Sequence, residues 1–211
     1  MSAKGARKIG SYQLVAESIL GSAALAEEEN QMERGTRLEP EAIERFRKET
    51  GKKVDASLLL WMREDDERIA SSPDGQIGKT AAVEAKCLSA ARHVEAKLTG
   101  KIPKDYEPQA RQYFVVNEKL KTLYFVFFDP RFPTGLDFFY IELHRKDIQA
   151  EIDELIEYQR AEIKWVREQV NRLTLYSPEE IAQAEKVREE LLDEHKSDLE
   201  RIHAGIMERS V

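Results

Sequence analysis

A chain of 211 residues, 35% charged and 8% aromatic, with a formal net charge of −7 and a single cysteine, is long enough for one domain with a real core plus an appendage. No apolar run approaches the ~20 residues of a membrane helix, and no apolar stretch follows the basic start MSAKGARKIG, which excludes a secretory signal. The lone Cys87 excludes an intrachain disulfide and a thiolate zinc site within one chain and fits a reducing, cytoplasmic setting; the acidic balance argues against a general nucleic-acid coat but leaves room for a local basic groove.

Apolar residues at helical spacing (Leu14, Val15, Ile19, Ala23) predict a helix over 11–27. A polar stretch follows to Arg37, then a second helix over 38–50, with Leu38, Ala42, Ile43 and Phe46 on one face and Gly51 as its stop. The period then changes. Strands are expected over 54–62 and 67–72, joined by the charged turn 63–66, and again over 81–88. Gly100 to Pro103 is a break, 106–118 a helix, and TLYFVFF (122–128) a buried strand whose partner lies at 137–143 beyond a Pro- and Gly-containing loop. From residue 148 the pattern is helical only. Ser177-Pro178-Glu179-Glu180 reads as a capping box opening the last helix. The expectation is an α/β core over 1–147 with a mixed central sheet flanked by helices, and a helical hairpin over 148–211 packing on it.

The chemistry concentrates in Ser72-Pro73-Asp74-Gly75 and Glu84-Ala85-Lys86-Cys87. Glu84 and Lys86 are two apart on a strand and share a face; a hairpin can bring Asp74 beside them. Two carboxylates from adjacent segments suit a hard divalent cation such as Mg²⁺, which lowers the pKa of a bound water and polarises a phosphodiester. A lysine on the same face can orient the water or stabilise developing charge. The bland alternative is an ordinary turn beside an exposed strand pair. Gly78-Lys79-Thr80 is no phosphate-binding loop, since Pro73 stands where that loop needs glycine, and His93-Val-Glu95 lacks the cysteine partners of a deaminase zinc site. Cys87 reads as a small buried hydrophobe.

These blocks, with Arg34-Gly-Thr-Arg-Leu-Glu39-Pro40 before them and Tyr106-Glu-Pro-Gln109-Ala-Arg-Gln-Tyr113 and Phe128-Asp-Pro-Arg131 after them, stand in the order of the YqaJ/lambda-exonuclease-type viral alkaline exonucleases, a branch of the PD-(D/E)XK nucleases. The resemblance covers roughly residues 10–150. It implies a PD-(D/E)XK restriction-endonuclease-like core and a Mg²⁺-dependent 5′→3′ exonuclease on linear double-stranded DNA, with Mn²⁺ as an alternative and two ions in the site. Asp74, Glu84, the Ala85 carbonyl and Glu39 would ligate metal, Lys86 would be the catalytic lysine, and Gln109 would line the site. Ser72, Tyr113 and Arg34 would contact DNA. The implied partners are DNA, a single-strand annealing protein and further copies of the chain in a trimeric ring.

The sequence departs from the family pattern ahead of Ser11-Tyr12, where the segment gripping the 5′-phosphate has no counterpart and Lys4, Arg7 and Lys8 are the basic residues on hand. Arg111 stands where many members have a second glutamine, and Leu88 replaces a proline. Gln109-x-x-x-Tyr113 also fits RecB-like nucleases that act on single strands. A non-catalytic DNA-binding or assembly module with the same fold is the third reading.

Overall fold

The computed structural model describes residues 9–21, 31–174 and 178–208. Ser177, Lys4, Arg7 and Lys8, and the part of the first expected helix beyond Gly21, lie outside them. The described chain divides into two compact units, 1–156 and 157–211.

In the first unit, helices α1 (Ile9–Leu20) and α2 (Gln31–Thr50) precede a hairpin of β1 (Trp61–Arg63) and β2 (Asp66–Ser71), then strands β3 (Gly75–Ile77) and β4 (Ala81–Lys86). Helix α3 (Ala90–Thr99), helix α4 (Glu107–Val116), β5 (Thr122–Phe128) and β6 (Phe138–His144) complete it. The sheet runs β3-β4-β5-β6. Its central pair β4/β5 is parallel, with Glu84 opposite Phe125, and the outer pairs are antiparallel. This is the expected mixed sheet between helices.

Alternation along the strands builds two faces. Val83, Ala85, Tyr124, Val126, Phe128 and Phe138 form one cluster with Leu38, Ala42, Ile43 and Phe46 of α2, the apolar stripe read from the sequence. On the other face Phe127 stacks on Phe139 and His93 of α3 packs against Phe139 and Phe132. Helix α1 lies on α3 through Tyr12, Ala16, Ala90, Ala91 and Val94. His93 is a core histidine: its Nε2 lies 2.8 Å from the Leu136 carbonyl oxygen, and burial holds its pKa below the ordinary range.

Several boundaries differ from expectation; α2 already begins at Gln31, inside the stretch expected to be polar loop. Of the strand expected over 54–62 only Trp61 and Met62 are strand, continuing into Arg63, with one isolated bridge between Asp55 and Gln76. The Asp55 carboxylate accepts the Ser57 N–H at 3.0 Å, an Asx turn that leads the chain outward, leaving Leu58 95% exposed. Helix α3, not expected from the sequence, ends at Gly100 (φ 63°), whose N–H reaches the Ala96 carbonyl at 2.9 Å. The first helix likewise stops at Gly21 (φ 77°).

In the second unit and its approach, α5 (Gln149–Thr174) and α6 (Pro178–Glu208) are the two expected helices, tied by an Arg167–Glu185 ion pair. Ile152, at the start of α5, is fully buried, whereas Val166, Val170, Leu173 and Leu191 stay half exposed or more. No helix among the described residues is long and apolar enough to cross a membrane.

Candidate active site

The site forms where the pairing of β4 changes. Strand β3 covers only Ala81–Val83, so the next residues lose their antiparallel neighbour. The side chain of Asp74, just before β3, supplies the missing acceptor: its Oδ2 takes the Ala85 N–H at 2.7 Å. Gly75 makes this turn possible for reasons of space, since a Cβ there would stand 2.4 Å from Cγ1 of buried Val54.

Glu84 and Lys86 share the face of β4 opposite the α2 core, as their spacing requires. Glu84 is 1% exposed, yet its carboxylate is fully engaged. Oε1 accepts from Lys86 Nζ and Gln109 Nε2, each at 2.6 Å, and Oε2 accepts the Tyr113 hydroxyl. Gln109 also donates to the Tyr113 oxygen at 3.1 Å. The ammonium of Lys86 lies 5.1 Å from the centre of the Tyr106 ring. Tyr106, Gln109 and Tyr113 follow one another at helical i, i+3, i+7 spacing, a single face of α4 and its entry turn aimed at β4.

The electrostatics record crowded negative charge. Burial first, then the Glu84 and Glu39 charges, push the Asp74 carboxyl up to about 7 against the Ala85 N–H and the Lys86 ammonium. Glu39 is also raised, by burial and then by Glu84. Burial and the Glu84 carboxylate raise the Tyr113 phenol far above its ordinary range, so it stays a hydrogen-bond donor. Burial pushes the Cys87 thiol up to about 12, which keeps it protonated and fits the expected small hydrophobe.

Thus the structure brings Asp74, Glu84, Lys86, Glu39 and Gln109 into one electrostatic neighbourhood. Two residues expected on the DNA surface are elsewhere. Tyr113 is 2% exposed, its one phenol proton directed to Glu84 with the Ser72 carbonyl oxygen 3.2 Å from the hydroxyl. Arg34 is 7% exposed; it donates to the Cys87 and Leu88 carbonyls at 2.9 and 2.6 Å and pairs with buried Asp129 at 2.9 Å. With these three partners the buried guanidinium anchors α2 to the end of β4. Ser72 is exposed, its hydroxyl donating to the Leu59 carbonyl. The sequence offered no sign that Asp129 would be fully buried, clasped by Arg131 as well as Arg34.

Among the described residues no three His, Cys, Asp or Glu side chains converge into a ready-made cation cage. The donor set nevertheless fits a hard divalent cation. It is all oxygen, and the like charges that raise Asp74 and Glu39 are what a cation would relieve.

Residues 7–120 match the YqaJ-like viral recombinase domain. No curated protein sequence matches the chain significantly. The chain is similar to the alkaline exonuclease LHK-Exo from Laribacter hongkongensis: at 28% identity and TM-score 0.60 to its complex with dAMP, over 77% of this chain and 85% of that one. A second LHK-Exo structure aligns at 27% identity and TM-score 0.55, over 80% and 89%.

Proposed function

This chain belongs to the family of YqaJ-like viral recombinase domains, nucleases of the lambda-exonuclease type, and from that premise we propose that it is a divalent-metal-dependent deoxyribonuclease degrading linear double-stranded DNA from its 5′ ends. The observation that carries the proposal is the convergence of Asp74, Glu84 and Lys86, with the Asp74 carboxyl pushed up to about 7 by burial and its acidic neighbours. Likeness to an alkaline exonuclease supports the choice of substrate and reaction.

Asp74, Glu84, the Ala85 carbonyl and Glu39 would hold Mg²⁺ or Mn²⁺, one or two ions. Bound there, the metal supplies Lewis-acid activation of the hydrolytic water and neutralises phosphate charge. The protein's own groups do the rest. Gln109 and Tyr113 hold the Glu84 carboxylate in one orientation, so its position is set before substrate arrives. Lys86, with one-fifth of its side chain exposed, presents a positive charge to the phosphate as negative charge develops in the transition state. Ser72 offers an exposed hydroxyl beside the terminal phosphate. A trimeric assembly and a single-strand annealing partner follow from the family resemblance and belong to the same proposal.

The test is digestion of linear duplex DNA bearing a 5′-phosphate, with Mg²⁺ or EDTA, by wild type and Asp74→Ala. Metal-dependent nucleotide release lost in the variant supports the reading; no release from linear, single-stranded or circular DNA refutes it. The hold of Gln109 and Tyr113 on Glu84 also suits a RecB-like nuclease, and digestion of circular duplex or of single strands in preference to duplex ends would select that activity.

A further inference from the structure

We infer that Tyr106 is a positioning residue for Lys86, its ring face holding the ammonium in place; this rests on the reading of Lys86 as the catalytic lysine. Two groups hold that ammonium: Glu84 Oε1 at 2.6 Å and the Tyr106 ring at 5.1 Å, the second within the ~6 Å reach of a cation–π contact. Their consequences differ. A carboxylate partner cancels the lysine's charge and, in the proposed reaction, Glu84 is committed to metal. An aromatic face leaves the positive charge available to a phosphate and keeps its hold whatever Glu84 is doing.

The ring is itself fixed. Tyr106 closes the 3-10 turn Lys104–Tyr106, its N–H donating to the Pro103 carbonyl at 2.9 Å. Arg92 of α3 pairs with Asp105 in the same turn at 2.7 Å. Phe125 of β5, opposite Glu84 in the sheet, supports the ring at 6.2 Å between centroids. Tyr106 therefore extends the Gln109/Tyr113 pair by one helical turn. Two residues of this face position the Glu84 carboxylate and the third positions the Lys86 ammonium of the same strand.

The test keeps shape and varies the ring's negative face: Tyr106→Phe, then mono-, di- and trifluorophenylalanine at position 106, assayed on linear duplex DNA with Mg²⁺. The expected result is near-wild-type kcat for Tyr106→Phe, then a stepwise fall with fluorination, about 2- to 30-fold in all. KM for DNA should stay within about twofold. A merely structural ring would be indifferent to fluorine, so a flat kcat series overturns the inference. A double-mutant cycle of Lys86→Met with Tyr106→Leu, read by unfolding in EDTA, tests the contact without catalysis: coupled effects support it and additive effects overturn it. If Lys86→Met keeps turnover while the cycle shows coupling, the catalytic reading of Lys86 fails and the contact stands; a flat series with an inactive Lys86→Met refutes the role of Tyr106 alone.

Discussion

Replacing Asp74 by asparagine should stabilise the metal-free protein, and more so in alkali than in acid. The amide side chain keeps an oxygen for the Ala85 N–H, which Asp74 accepts at 2.7 Å, and removes a charge that burial and two acidic neighbours oppose. The folded-state pKa of Asp74 is raised from 3.8 to about 7. Between these values the folded protein holds a proton that the unfolded chain has released, so this carboxyl costs progressively more stability as pH rises and costs most above 7. The rise corresponds to roughly 4 kcal/mol, which residual contact with water trims to about 2–3 kcal/mol. Urea unfolding in EDTA should therefore show a gain of about 2–3 kcal/mol for Asp74→Asn at pH 8 and little at pH 4.5. Added Mg²⁺ should stabilise wild type and leave the variant unmoved. Equal stability of the two proteins at pH 8, or a gain that does not change with pH, would refute the account of a charge held under strain for a cation.

Gly75→Ala should cost about 1–3 kcal/mol, because the new methyl meets Val54 Cγ1, and it should reduce nuclease activity by displacing Asp74. Adding Val54→Ala should bring stability back to within about 1 kcal/mol of Val54→Ala alone, as measured by denaturant titration. Asp129 shows the opposite electrostatics to Asp74: burial would raise its pKa, but the hydrogen bond from Arg131 and the charge of Arg34 outweigh it and hold it below the usual range. Its contribution is thus complete above about pH 4 and lost as pH falls through the folded value, so Asp129→Asn should cost about 3 kcal/mol at pH 7 and flatten the acid limb of stability against pH. Lys86→Ala should abolish turnover while a gel-shift assay in Ca²⁺ shows DNA binding within about threefold of wild type; turnover near the wild-type rate would remove Lys86 from the mechanism.

The parts of the fold legible in the sequence are those with a long repeat. Helix α2 announced its buried face through Leu38, Ala42, Ile43 and Phe46, and β5 through seven consecutive residues that no surface strand would carry. Strand β3 was not legible because three residues hold no period, and because Asp74-Gly75 reads as a turn. Helix α3 hid behind small residues: Ala90, Ala91 and Ala96 are buried, yet alanines give no amphipathic contrast. At the site, spacing alone put Glu84 and Lys86 on one face. The directions of Arg34 and Tyr113 were not readable, since a side chain's choice between a phosphate and a backbone carbonyl depends on what the fold places beside it.

The alternation of β4 also explains why the site can be so crowded and still form. Val83 and Ala85 sit in the core cluster with α2, while Glu84 and Lys86 face α4. A slip of one residue against β5 would carry both charges into that cluster and turn two apolar side chains toward the acids. The desolvation cost of such a slip, several kcal/mol per ion, exceeds the roughly 4 kcal/mol at most that folding concedes by holding Asp74 against its neighbours. The same apolar packing that defines the strand register therefore enforces the carboxylate arrangement. Glu84 opposite Phe125 is the point where the two requirements meet.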